Sequence, residues 1–214
     1  MDDRTRSVSR GPKRAADLIV GALVALPALV VVGLSWVLVV VEDGRPGFFR
    51  QTRVGLGGRE FGILKLRTMR RNEAPVSEVG QVGSDHPMVT RVGRWLRRLK
   101  VDELPQVLNV LAGDMSLVGP RPTVAEQVRE YDDFARRRLA VRPGVTGWAQ
   151  VNGNVALTWE DRIRLDVWYV DHWRPALDLR ILARTIGVLF RGERVGTTAL
   201  NEARAHEDRT RRRG

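Results

Sequence analysis

The chain has no cysteine among its 214 residues. That single absence excludes a disulfide framework, a thiolate zinc site, an iron–sulfur cluster and a cysteine nucleophile. Lysine is nearly missing too, occurring only as Lys13, Lys65 and Lys100, so almost all of the +11 net charge rests on arginine. Arginine favours bidentate capture of phosphate and carboxylate, which puts phosphate-bearing partners, anionic lipid and nucleic acid first among partner classes. Aromatics are thin at 6%, too few for the interleaved stacking platform of a single-strand nucleic-acid binder. Histidine is limited to His86, His172 and His206, scattered too widely for a ligand pair. No G-x-x-x-x-G-K-[ST] loop is present, and the Gly55-Leu56-Gly57-Gly58 cluster lacks the last glycine of a dinucleotide fingerprint.

What is present looks globular, with 43% hydrophobic and 29% charged residues in a length suited to one domain. Residues 18–41 carry no charge and are rich in Val, Leu and Ala. As a straight helix the run would extend about 36 Å, enough to cross a hydrocarbon core. A soluble core helix would show a polar face. A signal peptide would have a shorter apolar core and a small-x-small site, in place of Glu42-Asp43-Gly44-Arg45. Basic residues flank the run almost evenly, with five upstream (Arg4, Arg6, Arg10, Lys13, Arg14) and four downstream (Arg45, Arg50, Arg53, Arg59). A crossing helix has no asymmetry to obey here. A re-entrant helix bent at Pro27 satisfies both flanks, and a spanning helix with a tolerated proline is the level alternative.

Further along, residues 44–64 alternate apolar and basic positions between glycines and predict short strands and turns. Residues 72–87 predict a polar loop. Helical periodicity returns at Val92, Trp95, Leu96 and Leu99, then at Leu104, Val107, Leu108 and Leu111 with Gly113 as a stop. A polar helix is expected over residues 124–139. Leu177, Ile181, Leu182, Thr185, Leu189 and Phe190 fall at helical spacing with arginines between, a pattern that fits core packing and an anionic lipid surface equally. The charged residues 205–214 predict a frayed end.

Chemistry concentrates at Asp102-Glu103. Asp102 precedes an apolar helix, where a carboxylate commonly serves only as an N-cap. Its setting argues for more, because Glu103 follows directly and Arg91, Arg94, Arg97, Arg98 and Lys100 precede it. Adjacent carboxylates among guanidinium groups suit a divalent metal together with a diphosphate.

Four ordered segments carry a resemblance. They are Lys13-Arg14-Ala15-Ala16-Asp17-Leu18; Gln51-Thr52-Arg53-Val54-Gly55 with Phe61 through Lys65-Leu66-Arg67-Thr68-Met69; Asp102-Glu103-Leu104-Pro105-Gln106 through Asn109-Val110, Gly113-Asp114-Met115-Ser116 and Gly119-Pro120-Arg121-Pro122; and Arg142-Pro143-Gly144-Val145-Thr146-Gly147-Trp148-Ala149-Gln150-Val151-Asn152-Gly153. A looser fifth is Asp166-Val167-Trp168-Tyr169-Val170 with Asp178 and Leu179. Over residues 10–192 the chain resembles the bacterial sugar transferases, the small monotopic polyprenyl-phosphate phosphoglycosyl transferases. The resemblance implies a helix-rich α/β domain with an N-terminal re-entrant membrane helix and amphipathic surface helices, on the cytoplasmic face of the bacterial inner membrane. Its divisions would be a basic arm (1–14), the membrane helix (15–43), a catalytic domain (44–192) and a C-terminal extension (193–214).

The implied reaction moves a phospho-sugar from a UDP-sugar to polyprenyl phosphate through a covalent aspartyl intermediate, releasing UMP and starting a surface glycan. Asp102 would be the nucleophile and Glu103 its partner, both at a Mg²⁺ site. Lys65, Arg67, Arg97, Arg121, Arg142 and Gln150 are the substrate-binding candidates, and Pro27 would shape the membrane hairpin. The expected partners are the UDP-sugar, polyprenyl phosphate and the cytoplasmic leaflet, with no nucleic acid, and a homodimer is compatible with the sequence. Two departures stand out: Leu26 precedes Pro27 where relatives often carry a small polar residue, and His172-Trp173-Arg174-Pro175 replaces an asparagine-tryptophan-serine run. The competing reading is a non-catalytic, membrane-tethered basic module that binds anionic lipid or nucleic acid.

Overall fold

The structure, a computed structural model, describes residues 11–70, 86–192 and 194–212. Most of the expected basic arm, most of the expected loop at 72–87 and the last two residues lie outside that range. The architecture is helix-rich α/β. A long helix α1 (Pro12–Asp43) leads into an antiparallel hairpin, β1 (Phe48–Val54) and β2 (Glu60–Leu66), registered from Phe48 opposite Leu66 to Val54 opposite Glu60. Helices α2 (Arg91–Arg98) and α3 (Gln106–Ala112) follow, separated by a 3-10 turn at Val101–Glu103. Two short parallel strands, β3 (Ser116–Val118) and β4 (Gly144–Thr146), pair Ser116 with Gly144 and Val118 with Thr146. Between them lie α4 (Ala125–Arg129) and α5 (Asp133–Arg136), and after them α6 (Trp148–Val151), α7 (Trp159–Asp171), α8 (Pro175–Arg191) and α9 (Thr197–Arg211).

The long helix is the element that places everything else. Its buried residues are Lys13, Asp17, Gly21, Ala25, Ala28, Val32, Ser35 and Val39, spaced three or four apart, so one stripe faces the protein along the whole length. Small residues in the middle of that stripe allow close approach. A Cβ at Gly21 would already touch Leu111 and Val110 at 3.4 and 3.5 Å. Ala25 and Ala28 pack on Val107 and Leu111, while Val32 and Val39 join Leu66 and Leu96. The other faces are apolar and bare, with Leu23 73%, Leu26 74%, Leu34 67% and Val41 80% exposed. The helix continues through Pro27, whose ring removes one backbone donor in its middle.

Both ends of α1 are fastened to the same body by polar groups. At its start, Lys13 pairs with Asp178 at 2.6 Å, Arg14 donates to the carbonyls of Val110 and Leu111 at the end of α3, and Asp17 accepts from Ser116 Oγ and the Leu117 amide. At its finish, Glu42 accepts from the amides of Arg91 and Val92, and Asp43 lies 3.1 Å from Arg67.

The main core gathers Val118, Trp148, Leu165, Tyr169, Leu177, Ile181 and Ala203 from β3, α6, α7, α8 and α9, with Val141 from the segment before β4. Helix α8 answers the open choice about its periodic face with a split: Leu177 and Ile181 are buried, while Leu179, Ile186, Leu189 and Phe190 stand 68%, 59%, 52% and 85% exposed.

Two expectations are corrected. The single polar helix over residues 124–139 is instead α4, α5 and a 3-10 turn at Arg137–Ala140, because the Asp132 carboxylate accepts from the Ala135 amide and starts a new helix there. The frayed end expected from residue 205 is instead helical through Arg211. Ion pairs hold it, with Arg204 on Asp161, Glu207 on Arg164, and Arg211 on Asp132. Charge alone hides this, because a charged segment reads as solvated until the facing charges are known.

Candidate active site

Asp102 and Glu103 lie in the 3-10 turn that joins α2 to α3, and the turn is reached through Lys100, whose backbone is left-handed at φ 57°. A non-glycine residue there is uncommon and tends to mark a functional turn. The N-cap of α3 is Pro105, with no side-chain cap, so Asp102 does not serve as the cap that its position in the sequence allows. Instead it is 9% exposed inside the turn. Gly113, left-handed at φ 95°, ends α3 as the sequence predicts.

Glu103 is gripped from two elements. Lys65 Nζ, from β2, donates to Oε1 at 3.0 Å, and Arg121, from the loop after β3, donates to Oε1 at 2.7 Å and to Oε2 at 3.4 Å. Burial opposes the Glu103 charge, but Arg121 and Lys65 overcome it and hold the carboxyl far below the ordinary carboxylate range. The neighbour behaves in the opposite way. Burial, then the adjacent Glu103 charge, raises the Asp102 carboxyl above its ordinary value, against the pull of Lys65, Arg97 and Lys100. Burial also lowers Lys65 and Arg97.

The cations around the two acids, Lys65, Arg97, Lys100 and Arg121, outnumber them, which leaves a surplus of positive charge for an anionic ligand. Among the described residues, no group of three or more His, Asp and Glu gathers as a metal cage. The oxygen donors nevertheless suit Mg²⁺, which commonly takes one or two carboxylates and completes its shell with water and substrate phosphate. Asp102 fits that role first, since a cation would relieve the repulsion that raises its carboxyl, whereas Glu103 already has both oxygens engaged.

Of the substrate-binding candidates, Lys65, Arg97 and Arg121 therefore converge on the acidic pair, Arg97 being steadied by donation from Nε to Thr68 Oγ1 at 2.8 Å. The other three are placed at joints. Arg67 donates to the carbonyls of Asp43 and Gly44, Arg142 donates from Nε to the Gly113 carbonyl near Arg14 and Asp17, and Gln150 donates to the Val145 carbonyl.

Supports stand behind the site, of which the sequence motifs include Asn109 and Asp166 but not Arg138. Asn109 ties α3 to β2, accepting from the Leu64 amide and donating to the Gly62 carbonyl. Arg138 is held by Asp166 at 2.5 Å with both side chains 2% exposed, and its Nη2 also donates to the carbonyl of Arg121. A buried arginine within the Arg136-Arg137-Arg138 run has no local signal to separate it from its solvated neighbours.

The acidic pair thus sits on a helix–helix turn with cations from β2 and from the loop after β3, beside a helix long and apolar enough to cross a membrane. Comparison with known proteins gives the class: residues 8–192 match the profile of the bacterial sugar transferases, and the chain belongs to that family. It is 41% identical over 186 residues to an uncharacterized sugar transferase, EpsL, of Bacillus subtilis (strain 168), covering 87% of this chain and 91% of that protein. It is 42% identical over 191 residues to a UDP-glucose:undecaprenyl-phosphate glucose-1-phosphate transferase of Caulobacter vibrioides, covering 83% of this chain and 69% of the relative. A protein of the same name from Escherichia coli (strain K12) is 37% identical over 198 residues, and there the match spans only 41% of the relative's length. The chain is thus an enzyme of the transferase class, and the reading as a non-catalytic basic module gives way.

Proposed function

We propose that this enzyme moves a phospho-sugar from a UDP-sugar to polyprenyl phosphate, in two displacements at Asp102. The observation that carries the reading is the contrast within the acidic pair: Glu103 is saturated by Lys65 and Arg121, while Asp102 is buried, crowded and raised. A carboxylate so placed is less stabilised as an anion and better suited to attack than one locked in an ion pair. Asp102 Oδ attacks the sugar-linked phosphorus, the bridging P–O bond breaks and UMP leaves. A polyprenyl phosphate oxygen then attacks the same phosphorus and the aspartyl O–P bond breaks, which regenerates the carboxylate. Splitting the transfer lets a soluble donor and a lipid acceptor use one site in turn.

Lys65, Arg97 and Arg121 offset the diphosphate charge that would otherwise repel an anionic nucleophile. Mg²⁺, held by Asp102 with Glu103 beside it, would add Lewis-acid neutralisation of the phosphate oxygens. The product would be a polyprenyl-diphosphate-sugar, the starting lipid of a surface glycan.

The attachment of α1 supports a monotopic seat on the cytoplasmic leaflet. Its two ends are pinned by Lys13, Arg14, Asp17, Glu42 and Asp43 to one domain, so a full crossing would carry the charged turns of α2 and α3 into hydrocarbon. The helix enters and leaves from one side, with its bare apolar faces toward lipid.

The test is Asp102→Asn against wild type, with UDP-sugar and Mg²⁺ but no acceptor. Wild type releases UMP in an amount matching the enzyme and carries the phospho-sugar on the peptide containing Asp102. The variant keeps its fold and releases none. If wild type forms UMP only after polyprenyl phosphate is added, the two-displacement mechanism is wrong.

A further inference from the structure

We propose that Glu42, the next-to-last residue of the long apolar helix, is a positioning residue for the active site. Its carboxylate spans the start of α2, Oε1 accepting from the Arg91 amide at 2.8 Å and Oε2 from the Val92 amide at 2.9 Å. Thr90 Oγ1 takes the next amide, that of Gly93, at 2.9 Å. These contacts fill three of the four amides that every helix start leaves open, and one carboxylate from a distant helix supplies two of them. A negative group there also meets the positive end of the α2 dipole.

From that clamp the path to the reacting groups is short and rigid. Helix α2 is only eight residues long, with Arg97 in its last turn, and it runs through the left-handed Lys100 into Asp102. A second contact fixes its side-to-side position, since Gly93 packs on the Thr68 carbonyl so closely that a Cβ would sit 2.3 Å from it. The Thr90 amide donates to that same carbonyl at 3.0 Å, and Thr68 Oγ1 accepts from Arg97. The residue before Thr68 closes the loop: Arg67 Nη2 donates to the carbonyls of Asp43 and Gly44, directly after Glu42. The end of α1 therefore holds both walls that carry Arg97, α2 through Glu42 and the β2 extension through Arg67. Glu42 is itself exposed and distant in sequence from the site, so it acts only through α2.

The consequence is a mechanical link between the seating of α1 and the geometry at Asp102. Removing the carboxylate frees the first turn of α2 and lets Arg97 and the 3-10 turn drift, while leaving the ligand-contacting side chains in place chemically. The activity arm of the test rests on the function proposed above, and the exchange arm does not. Full-length Glu42→Ala and Glu42→Gln are compared with wild type in lipid nanodiscs, by steady-state kinetics and by amide hydrogen exchange.

For Glu42→Ala, exchange across residues 91–103 is expected to rise about tenfold while α7 and α8 stay at the wild-type rate. Its kcat per folded molecule should fall at least fivefold, with the donor KM within twofold. Glu42→Gln, which keeps one acceptor oxygen for the two amides, should fall between the two and recover part of both losses. A purely structural role would lower the yield of folded enzyme and leave kcat per folded molecule unchanged. That result, or faster exchange confined to the first three amides of α2 with wild-type kcat, overturns the proposal. Should Glu42→Ala fail to fold, Glu42→Gln decides, and a wild-type kcat with wild-type exchange counts against the link. Failure of the wild type to release UMP without acceptor would instead overturn the reaction scheme and leave the exchange result to judge the link.

Discussion

Replacing Asp166 by Asn is the sharpest test of how the loop carrying Arg121 is held. Arg138 and Asp166 pair at 2.5 Å with each side chain 2% exposed, so neither charge has water to fall back on. Burial works against the Arg138 charge, but Asp166 and the Tyr131 hydroxyl hold the guanidinium above its ordinary value. In Asp166→Asn the guanidinium keeps Tyr131 Oη and the Arg121 carbonyl as acceptors yet loses the carboxylate that pairs with it among the described residues. Breaking one side of a buried pair in this way costs about 3–5 kcal/mol, well above the 0–1 kcal/mol of an exposed pair. A domain of this size starts with about 5–15 kcal/mol, so the variant should fold but with a much smaller margin.

The assay is urea unfolding in a mild detergent, followed by tryptophan fluorescence, since Trp159 lies 5.3 Å from the Arg138 guanidinium. With a urea slope near 2 kcal/mol per molar, the midpoint should drop by about 2 M. The double variant Arg138→Met with Asp166→Leu, which removes both charges, should recover much of the loss, and together with wild type and the single variants Arg138→Met and Asp166→Leu it forms a double-mutant cycle. Because Arg138 Nη2 also holds the Arg121 carbonyl, Asp166→Asn should weaken donor use even in the folded fraction. A loss under about 1 kcal/mol, or additive single effects, would show that the pair does not hold this loop.

Two more outcomes are expected. Helix α9 should loosen in acid: Arg204 above all holds Asp161 below its ordinary carboxylate value, and Arg164 and Arg211 overcome burial to do the same for Glu207. Because these folded values lie below the unfolded ones, the stabilisation is complete above about pH 5 and is lost as pH falls through the lower folded values. Hydrogen exchange over residues 197–211, corrected for intrinsic rate, should therefore rise between pH 6 and pH 3, and equal protection at both would mean that the apolar contacts of Ala199, Leu200 and Ala203 suffice. For topology, the cysteine-free chain needs no background substitutions: single cysteines at Ser9 and Arg45 should both resist an impermeant thiol reagent in intact cells, and labelling at one of them alone would mean a crossing helix.

How much of this was legible in the sequence depends on how local each signal is. The helices flanking Asp102-Glu103 follow from 3.6-residue periodicity and a glycine stop, both carried within a dozen residues. The hairpin at 48–66 follows from alternation between glycines. What fails is non-local. The break at Tyr131-Asp132 depends on one carboxylate choosing a cap over a continued helix, and the order of residues 205–211 depends on charged partners some forty residues or more away in sequence, Arg164 for Glu207 and Asp132 for Arg211. Placement divides the substrate-binding candidates in a way the sequence does not show. Lys65, Arg97 and Arg121 reach the acidic pair, whereas Arg67, Arg142 and Gln150 occupy motifs of equal prominence but close joints between elements. A motif records that a residue type matters at a position. It does not record whether that residue faces a ligand or a carbonyl.

The long helix shows the same point at the level of a whole element. Hydropathy marks residues 18–41 as fit for a membrane, and the balanced basic flanks leave crossing and re-entry level. What hydropathy discounts is the polar residues at either end. Lys13, Arg14 and Asp17 bind the start of α1 to α8, α3 and β3, and Glu42 and Asp43 bind its finish to α2 and β2. Each contact is modest alone, but together they tie both ends of α1 to one folded body. Exposed Trp95, Leu99 and Leu108 flank the turn that carries Asp102-Glu103, so apolar surface lies next to clustered charge there, and on the reading proposed above that surface would face lipid.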